Sequence, residues 1–284
     1  MFVKRDDGLG GIFLPFHCGA LVLGCLLTIA VHGSGLWNIL IFLGWYAAAF
    51  FVLLLLFYLV LLIYSSLTID VTAEPPKEDH PYVRKLVVYV IGQLIRFGRA
   101  RLHLTGQDKI PAEGRFLVVS NHRSNYDPIC TVWALRAWDI GFITKPENHR
   151  IPIAGPLIFR ANYLPIDREN PRNAMKTINA AAALIQNDVV SIGVYPEGTR
   201  GHGAEMLPFH NGVFKIAQKA NVPIVVLSTR GADEIHKNLP RKHTDVTLDV
   251  CAVIGAEEAA ASSTAALSQK VRSILEDSLS PVKS

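Results

Sequence analysis

The sequence predicts an α/β protein: a largely parallel sheet flanked by helices, preceded by an N-terminal membrane helical hairpin. Three observations predict it. Half of the 284 residues are apolar and only 18% are charged, against roughly 25% in soluble domains. From Gly8 to Ile69 there is no Lys, Arg, Asp or Glu. Beyond residue 101, short β-rich runs alternate with helical ones, as βα units do around a parallel sheet. The organisation that follows is a membrane hairpin over 1–70, a linker and amphipathic helix over 71–101, and an α/β domain over 102–284.

The charge-free region holds two apolar runs, Gly10 to Val31 and Leu36 to Leu67, separated by His32, Gly33, Ser34 and Gly35, which suit a turn. A helix needs about 20 residues to cross a bilayer core, so each run is long enough. The second, at ~1.5 Å per residue, exceeds the ~30 Å core and must tilt, kink or emerge. A hairpin returns the chain to its starting side. Lys4 and Arg5 then share a face with Arg84, Lys85, Arg96, Arg99 and Arg101, which the positive-inside rule makes cytoplasmic. A hairpin entering one leaflet gives the same sidedness. The rival is a cleaved signal, since Leu23-Gly24-Cys25 faintly resembles a lipoprotein cleavage site, but a signal has an apolar core of about 7–15 residues and here a longer run follows at once.

Glu74-Pro75-Pro76 reads as a linker. From Tyr82 to Arg101, Leu86, Val87, Val90, Ile91, Leu94 and Ile95 recur at helical spacing, with cations at both ends. Two readings stay open for this helix: an interfacial one lying on lipid, or one packed on the core.

In the domain, strands are expected at Leu102 to Thr105, Phe116 to Ser120, Ile140 to Thr144, Tyr163 to Ile166, Val189 to Tyr195, Ile224 to Thr229 and Val246 to Ile254. Asp127-Pro128 and Asn170-Pro171 each offer an N-cap followed by Pro at the first helical position, starting helices that run to about Ala137 and Gln186. Further helices are expected over Gly212 to Ala220 and Thr264 to Leu279. The Ala/Ser/Glu-rich stretch Ala256 to Ala266 reads as a loop. Ligands of such sheets bind at the carboxyl ends of strands.

Two segments sit there. Asn121-His122-Arg123-Ser124-Asn125-Tyr126-Asp127 follows one strand. His122 and Asp127 are five residues apart, about 140° around a continuous helix, so they touch only across an irregular turn. An imidazole held by a carboxylate is a general base of fixed tautomer, whereas Asp before Pro is also an ordinary helix cap. Val194-Tyr195-Pro196-Glu197-Gly198-Thr199-Arg200-Gly201 ends another strand, with glycines for tight turns and an Arg that can grip phosphate bidentately. A turn with a solvated Arg reads the same way.

Together the segments resemble the NHxxxxD and FPEGTR motifs of the glycerolipid acyltransferase family. Ile166-Asp167-Arg168 resembles the family's intermediate IDR motif, and Val222-Pro223-Ile224-Val225 its VPI motif. The resemblance covers roughly 84–254. It implies transfer of a fatty acyl group from acyl-CoA or acyl carrier protein to the free hydroxyl of a lysophosphatidate, with no cofactor and no metal. By motif match His122 is the base and Asp127 its partner. Glu197, Gly198, Thr199 and Arg200 form the acceptor site, with Arg168 and Lys145 adding phosphate contacts. The family's Pro-Phe-Lys-Lys-Gly reads Pro208-Phe209-His210-Asn211-Gly212 here, Gly201 stands where Ser is frequent, and Val226 replaces a second Pro.

A net charge of +4 is far from the dense basic stripes of nucleic-acid binders, so the expected partners are membrane lipid and the thioester donor. Cys18, Cys25, Cys130 and Cys251 show no paired spacing, which fits a reducing compartment. No GxSxG elbow is present, which argues against a covalent acyl-enzyme. Ser124 reads as a structural hydrogen-bonder. The competing functions are acylation of another acceptor, such as glycerol 3-phosphate or a larger lysophospholipid, and a non-catalytic lipid-binding protein of the inner leaflet. Two apolar helices without an intramembrane charge offer no transport path. The expected location is the cell membrane, catalytic domain on the cytoplasmic side.

Overall fold

A computed structural model describes residues 13–31, 37–71, 74–201 and 205–280. The chain forms two compact units, an apolar one within residues 4–70 and a larger one over 71–284.

In the apolar unit α1 (Phe13–Val31) runs antiparallel to α2 (Trp37–Thr68). Phe16 meets Phe57, and the His17 ring stacks on Phe50 while its Nδ1 bonds the Tyr46 hydroxyl at 2.5 Å. Gly24 lets the backbones close up, since a Cβ there would lie 3.3 Å from the Tyr46 backbone. Over Asn38–Thr68 the mean hydropathy is 2.8, long and apolar enough to cross a membrane by length and composition. The apolar stretch of α1 is Pro15–Ile29, shorter than the about 20 residues a crossing needs. The turn expected at 32–35, and Lys4 and Arg5, lie outside the described residues.

The larger unit opens with α3 (Pro81–Phe97), followed by β1 (Ala100–Thr105), β2 (Leu117–Ser120), α4 (Tyr126–Ala134), β3 (Ile140–Thr144), α5 (Ala154–Arg160), β4 (Leu164–Pro165), α6 (Pro171–Gln186) and β5 (Ser191–Val194). It continues through α7 (Lys215–Ala220), β6 (Ile224–Arg230), α8 (Ile235–Asn238), β7 (Thr244–Ile254), α9 (Ala256–Ala261) and α10 (Thr264–Leu279). The seven strands form one sheet in the order β1-β7-β6-β2-β5-β3-β4, with every pair parallel except β6 and β7. β2 and β5 are buried at every residue, and β6 at all but Arg230. They are continuous apolar runs because both faces are covered. On one face Leu117, Val119, Ile192, Val194, Ile224 and Val226 pack against α6, α7 and α10. On the other, α3 packs against α4 closely enough that a Cβ on Gly92 would fall 2.5 Å from the Trp133 ring.

Asn170 caps α6 as expected, its side chain accepting from the N–H groups of Arg172 and Asn173. Three expectations need correction. Asn125, not Asp127, is the N-cap of α4, and that helix stops at Ala134, because Asp127 turns its carboxylate back onto the preceding loop. The stretch after β7 begins with a helix, α9, instead of a loop, as its alanines and glutamates are good helix formers. α5 and α8 were not expected. Of the two readings of α3, the packed one holds for one face, with Val87, Ile91 and Ile95 buried, while Tyr82, Val90, Leu94 and Phe97 stay exposed.

Arg84 fixes the approach to α3. Its Nε donates to Asp79 and its Nη2 to the fully buried Asn162, both at 2.8 Å. Asn162 in turn donates to the carbonyls of Pro76 and Glu78. Arg84→Met leaves the Asn162 carbonyl without its donor, at a cost of about 2 kcal/mol. The expected drop in thermal midpoint is about 4–8 °C, checked by melting both proteins in the same detergent.

His149 is buried against Phe159, ring centroids 5.6 Å apart, and neither ring nitrogen has a hydrogen-bond partner. Burial pushes its pKa down to about 4, so the unfolded chain takes up the proton first as pH falls. The stability His149 contributes is complete above about pH 6.5 and is lost between there and about pH 4. His149→Leu should remove that part of the acid sensitivity, read as a flatter plot of melting midpoint against pH.

Candidate active site

β2 and β5 lie side by side and release their chains at the same sheet edge. The connection after β2 leads past β5 to β3, and the connection after β5 leads back past β2 to β6. The chain thus leaves a crevice at their carboxyl ends. His122 stands in the first loop and residues 195–201 form the second.

The irregular turn that His122 and Asp127 require is present. Asp127 is 1% exposed, and its Oδ2 accepts from His122 Nδ1 at 2.9 Å and from the backbone N–H groups of Arg123 at 2.6 Å and Ser124 at 2.7 Å. Nδ1 faces a carboxylate and so carries the proton, leaving Nε2 as the basic nitrogen. The Tyr195 ring stacks on the imidazole at 4.3 Å between centroids and 20° between planes, and Phe142 backs Tyr195 at 5.5 Å. Burial, with the Asp127 charge adding to it, raises the Tyr195 phenol well above its ordinary range and keeps it neutral. Ser124 Oγ donates to the Ala232 carbonyl and accepts from the Tyr126 N–H, so it is a structural hydrogen-bonder. Burial pushes the Cys130 thiol up as well, leaving it un-ionised.

Glu197 joins the two loops. It is 3% exposed, with Oε1 accepting from the His122 N–H at 2.7 Å and Oε2 from the Leu207 N–H at 2.9 Å. The Gly201 N–H returns a bond to the His122 carbonyl at 2.9 Å. Gly198 has φ +73°, and a Cβ there would lie 2.8 Å from the His210 ring, so both backbone and space require glycine. Arg168 comes to the same spot, its Cζ 3.5 Å from that Cβ position. Thr199 is exposed and Arg200 half-buried. Arg200 lines a cavity shared with Arg123 and Tyr126. Lys145 stands exposed at the end of β3.

The structure therefore joins His122, Asp127 and Glu197 tightly, sets Arg168 beside Gly198, and separates Arg200 onto its own cavity. Sequence reasoning missed Tyr195 as the wall behind the imidazole; an aromatic residue at a strand end was the only signal. It also missed Asn121, whose side-chain amide exchanges two hydrogen bonds with the Thr229 backbone and ties β2 to β6.

Asp127→Asn keeps the shape but replaces an oxygen that accepts three donors with a neutral amide. The imidazole then loses the partner that fixes its tautomer, and turnover is expected to fall by about 10²- to 10⁴-fold. Steady-state kinetics on protein with an unchanged melting midpoint checks this.

The chain is similar to several known proteins. The 1-acyl-sn-glycerol-3-phosphate acyltransferase of Haemophilus influenzae is 33% identical over 129 residues, covering 45% of this chain and 53% of that protein. The human 1-acyl-sn-glycerol-3-phosphate acyltransferase alpha is 31% identical over 144 residues, covering 51% and 50%. The chain spans about half the length of the curated relatives it matches. The crystal structure of the 1-acyl-sn-glycerophosphate acyltransferase PlsC from Thermotoga maritima superposes with a TM-score of 0.55 at 23% identity, over 78% of this chain and 86% of that one, and shows the same fold. Residues 101–230, which contain both motif loops and the strands that carry them, match the family described as Acyltransferase.

Proposed function

We propose that the chain transfers a fatty acyl group from an acyl thioester, acyl-CoA or acyl carrier protein, to the sn-2 hydroxyl of 1-acyl-glycerol-3-phosphate, giving phosphatidate. The observation that carries this reading is the His122 ring, held at Nδ1 by Asp127 with Nε2 left to act as a base. A glycerol hydroxyl is a poor nucleophile at neutral pH, and a positioned base contributes about 10²- to 10⁴-fold. Nε2 takes the hydroxyl proton as the oxygen attacks the thioester carbonyl. The tetrahedral intermediate collapses with cleavage of the C–S bond, and the thiolate leaves with the proton returned from the imidazolium. A thiol pKa near ~8.5 makes that departure easy without a strong acid. The names of the matched relatives support the lysophosphatidate acceptor.

In this reading the thioester is a co-substrate and the reaction needs no cofactor. Arg200 meets the acceptor's phosphate, with Gly198 and Thr199 shaping the loop, and Arg168 and Lys145 are further phosphate contacts. α2 holds the protein in the cell membrane with the α/β unit on the cytoplasmic side, where both substrates are supplied. A second acceptor class, glycerol 3-phosphate or a lysophospholipid with a larger headgroup, rests on one difference: Pro208-Phe209-His210-Asn211-Gly212 departs from the Pro-Phe-Lys-Lys-Gly that the resemblance implies.

Incubation of the purified full chain with labelled acyl thioesters and a panel of lyso acceptors tests the reading. Phosphatidate is the expected product, and His122→Ala should lower its formation by about 10²-fold or more. Acylation of a different acceptor alone would move the assignment to the second class, and undiminished transfer by His122→Ala would remove the histidine from the mechanism.

A further inference from the structure

A cavity of about 510 Å³ is lined by the turn between His122 and Asp127, and three strand ends supply its walls. Arg123 and Tyr126 come from the loop after β2, Arg200 from the loop after β5, and Asp233, His236 and Lys237 from the segment after β6. The sequence motifs account for the first two walls. Nothing in them singles out the third.

The cation arrangement gives that third wall its meaning. Both substrates of the proposed reaction carry phosphate, and a phosphate dianion needs more than one cationic donor to leave water. Arg168 sits at Gly198 and is not among the residues that line this cavity. The cations that share the Arg200 cavity come instead from the segment after β6. Lys237 is paired with Glu234 at 2.7 Å, but both side chains are about half exposed, and such a pair is weakly held in water. Its ammonium can turn to an incoming anion. His236 is exposed at the cavity wall. Asp233 is the single acid on the lining, against Arg123, Arg200 and Lys237.

We propose that this cavity binds a phosphate ester, and that His236 and Lys237 complete with Arg200 the set of donors that holds it. The inference rests on the acyl-transfer reading for the identity of the ester, which is the glycerophosphate of the acceptor or a phosphate of the donor. Its position beside His122 is compatible with either, because the Gly201 N–H that lines the cavity loop also binds the His122 carbonyl.

The test is equilibrium titration of the full chain in detergent with a short-chain lysophosphatidate and, separately, with free coenzyme A. Wild type is compared with the double variant His236→Gln, Lys237→Met and with the single variants. Loss of charge-assisted hydrogen bonds should weaken binding of one of the two ligands by about tenfold or more. The ligand that weakens identifies the source of the phosphate. Binding of the matching phosphate-free probe, a monoacylglycerol or pantetheine, should not change. Equal affinity in wild type and variants for both ligands would overturn the proposal, as would an equal loss for the phosphate-free probe or a wild type that binds neither. The single variants preserve the test if the double variant melts early. Absence of acyl transfer in wild type would strike the acyl-transfer reading while leaving the binding comparison in force.

Discussion

A buried carboxylate at the end of β5 holds the site in register. Glu197 takes the backbone N–H of His122 with one oxygen and that of Leu207 with the other, so the loop after β2 and both limbs of the loop after β5 are fastened to one side chain. Without it, two buried N–H groups would lack partners at about 1–3 kcal/mol each. The loss would reach further than that sum. The position of the His122 backbone decides whether Nδ1 meets Asp127, and Asp127 is itself fixed by the N–H groups of Arg123 and Ser124 in the same turn.

That wiring works only because the sheet brings distant segments to one edge. β2 pairs with β5 on one side and β6 on the other, so loops separated by about a hundred residues converge. The Asn121 amide, bonded to both the N–H and the C=O of Thr229, locks the third strand end to the first. The His122–Asp127 pair is thus held by backbone contacts to the core. The segment after β6 contributes exposed side chains to the cavity wall and leaves the pair's own hydrogen bonds untouched.

How much was legible depended on whether the cause was local. β3 and α6 fall where the sequence put them, since the β-rich run at Ile140–Thr144 and the Asn170-Pro171 cap are short-range signals. α5 escaped notice because seven residues containing Gly155 and Pro156 have no helical period to read. Asp127 looked like a cap for the same reason that misled about its role: a carboxylate before Pro suits either task, and only the fold of the turn decides. Motif resemblance placed His122, Asp127 and Glu197 at the site. It could not show that both oxygens of Glu197 are consumed by backbone groups, one of them 75 residues away in the chain.

In the proposed reaction, with His122 as the base, the aromatic wall behind the imidazole bears on the hazard of hydrolysis. A base that activates a glycerol hydroxyl activates water equally well, and water is present at ~55 M while an acceptor is scarce. Tyr195 covers one face of the His122 ring and Phe142 backs it, while Asp127 occupies the Nδ1 edge. The nucleophile's approach is confined to what remains. An acceptor seated there displaces the solvent that would otherwise compete for the thioester, so the stacked rings protect the activated acyl group as well as orient the base.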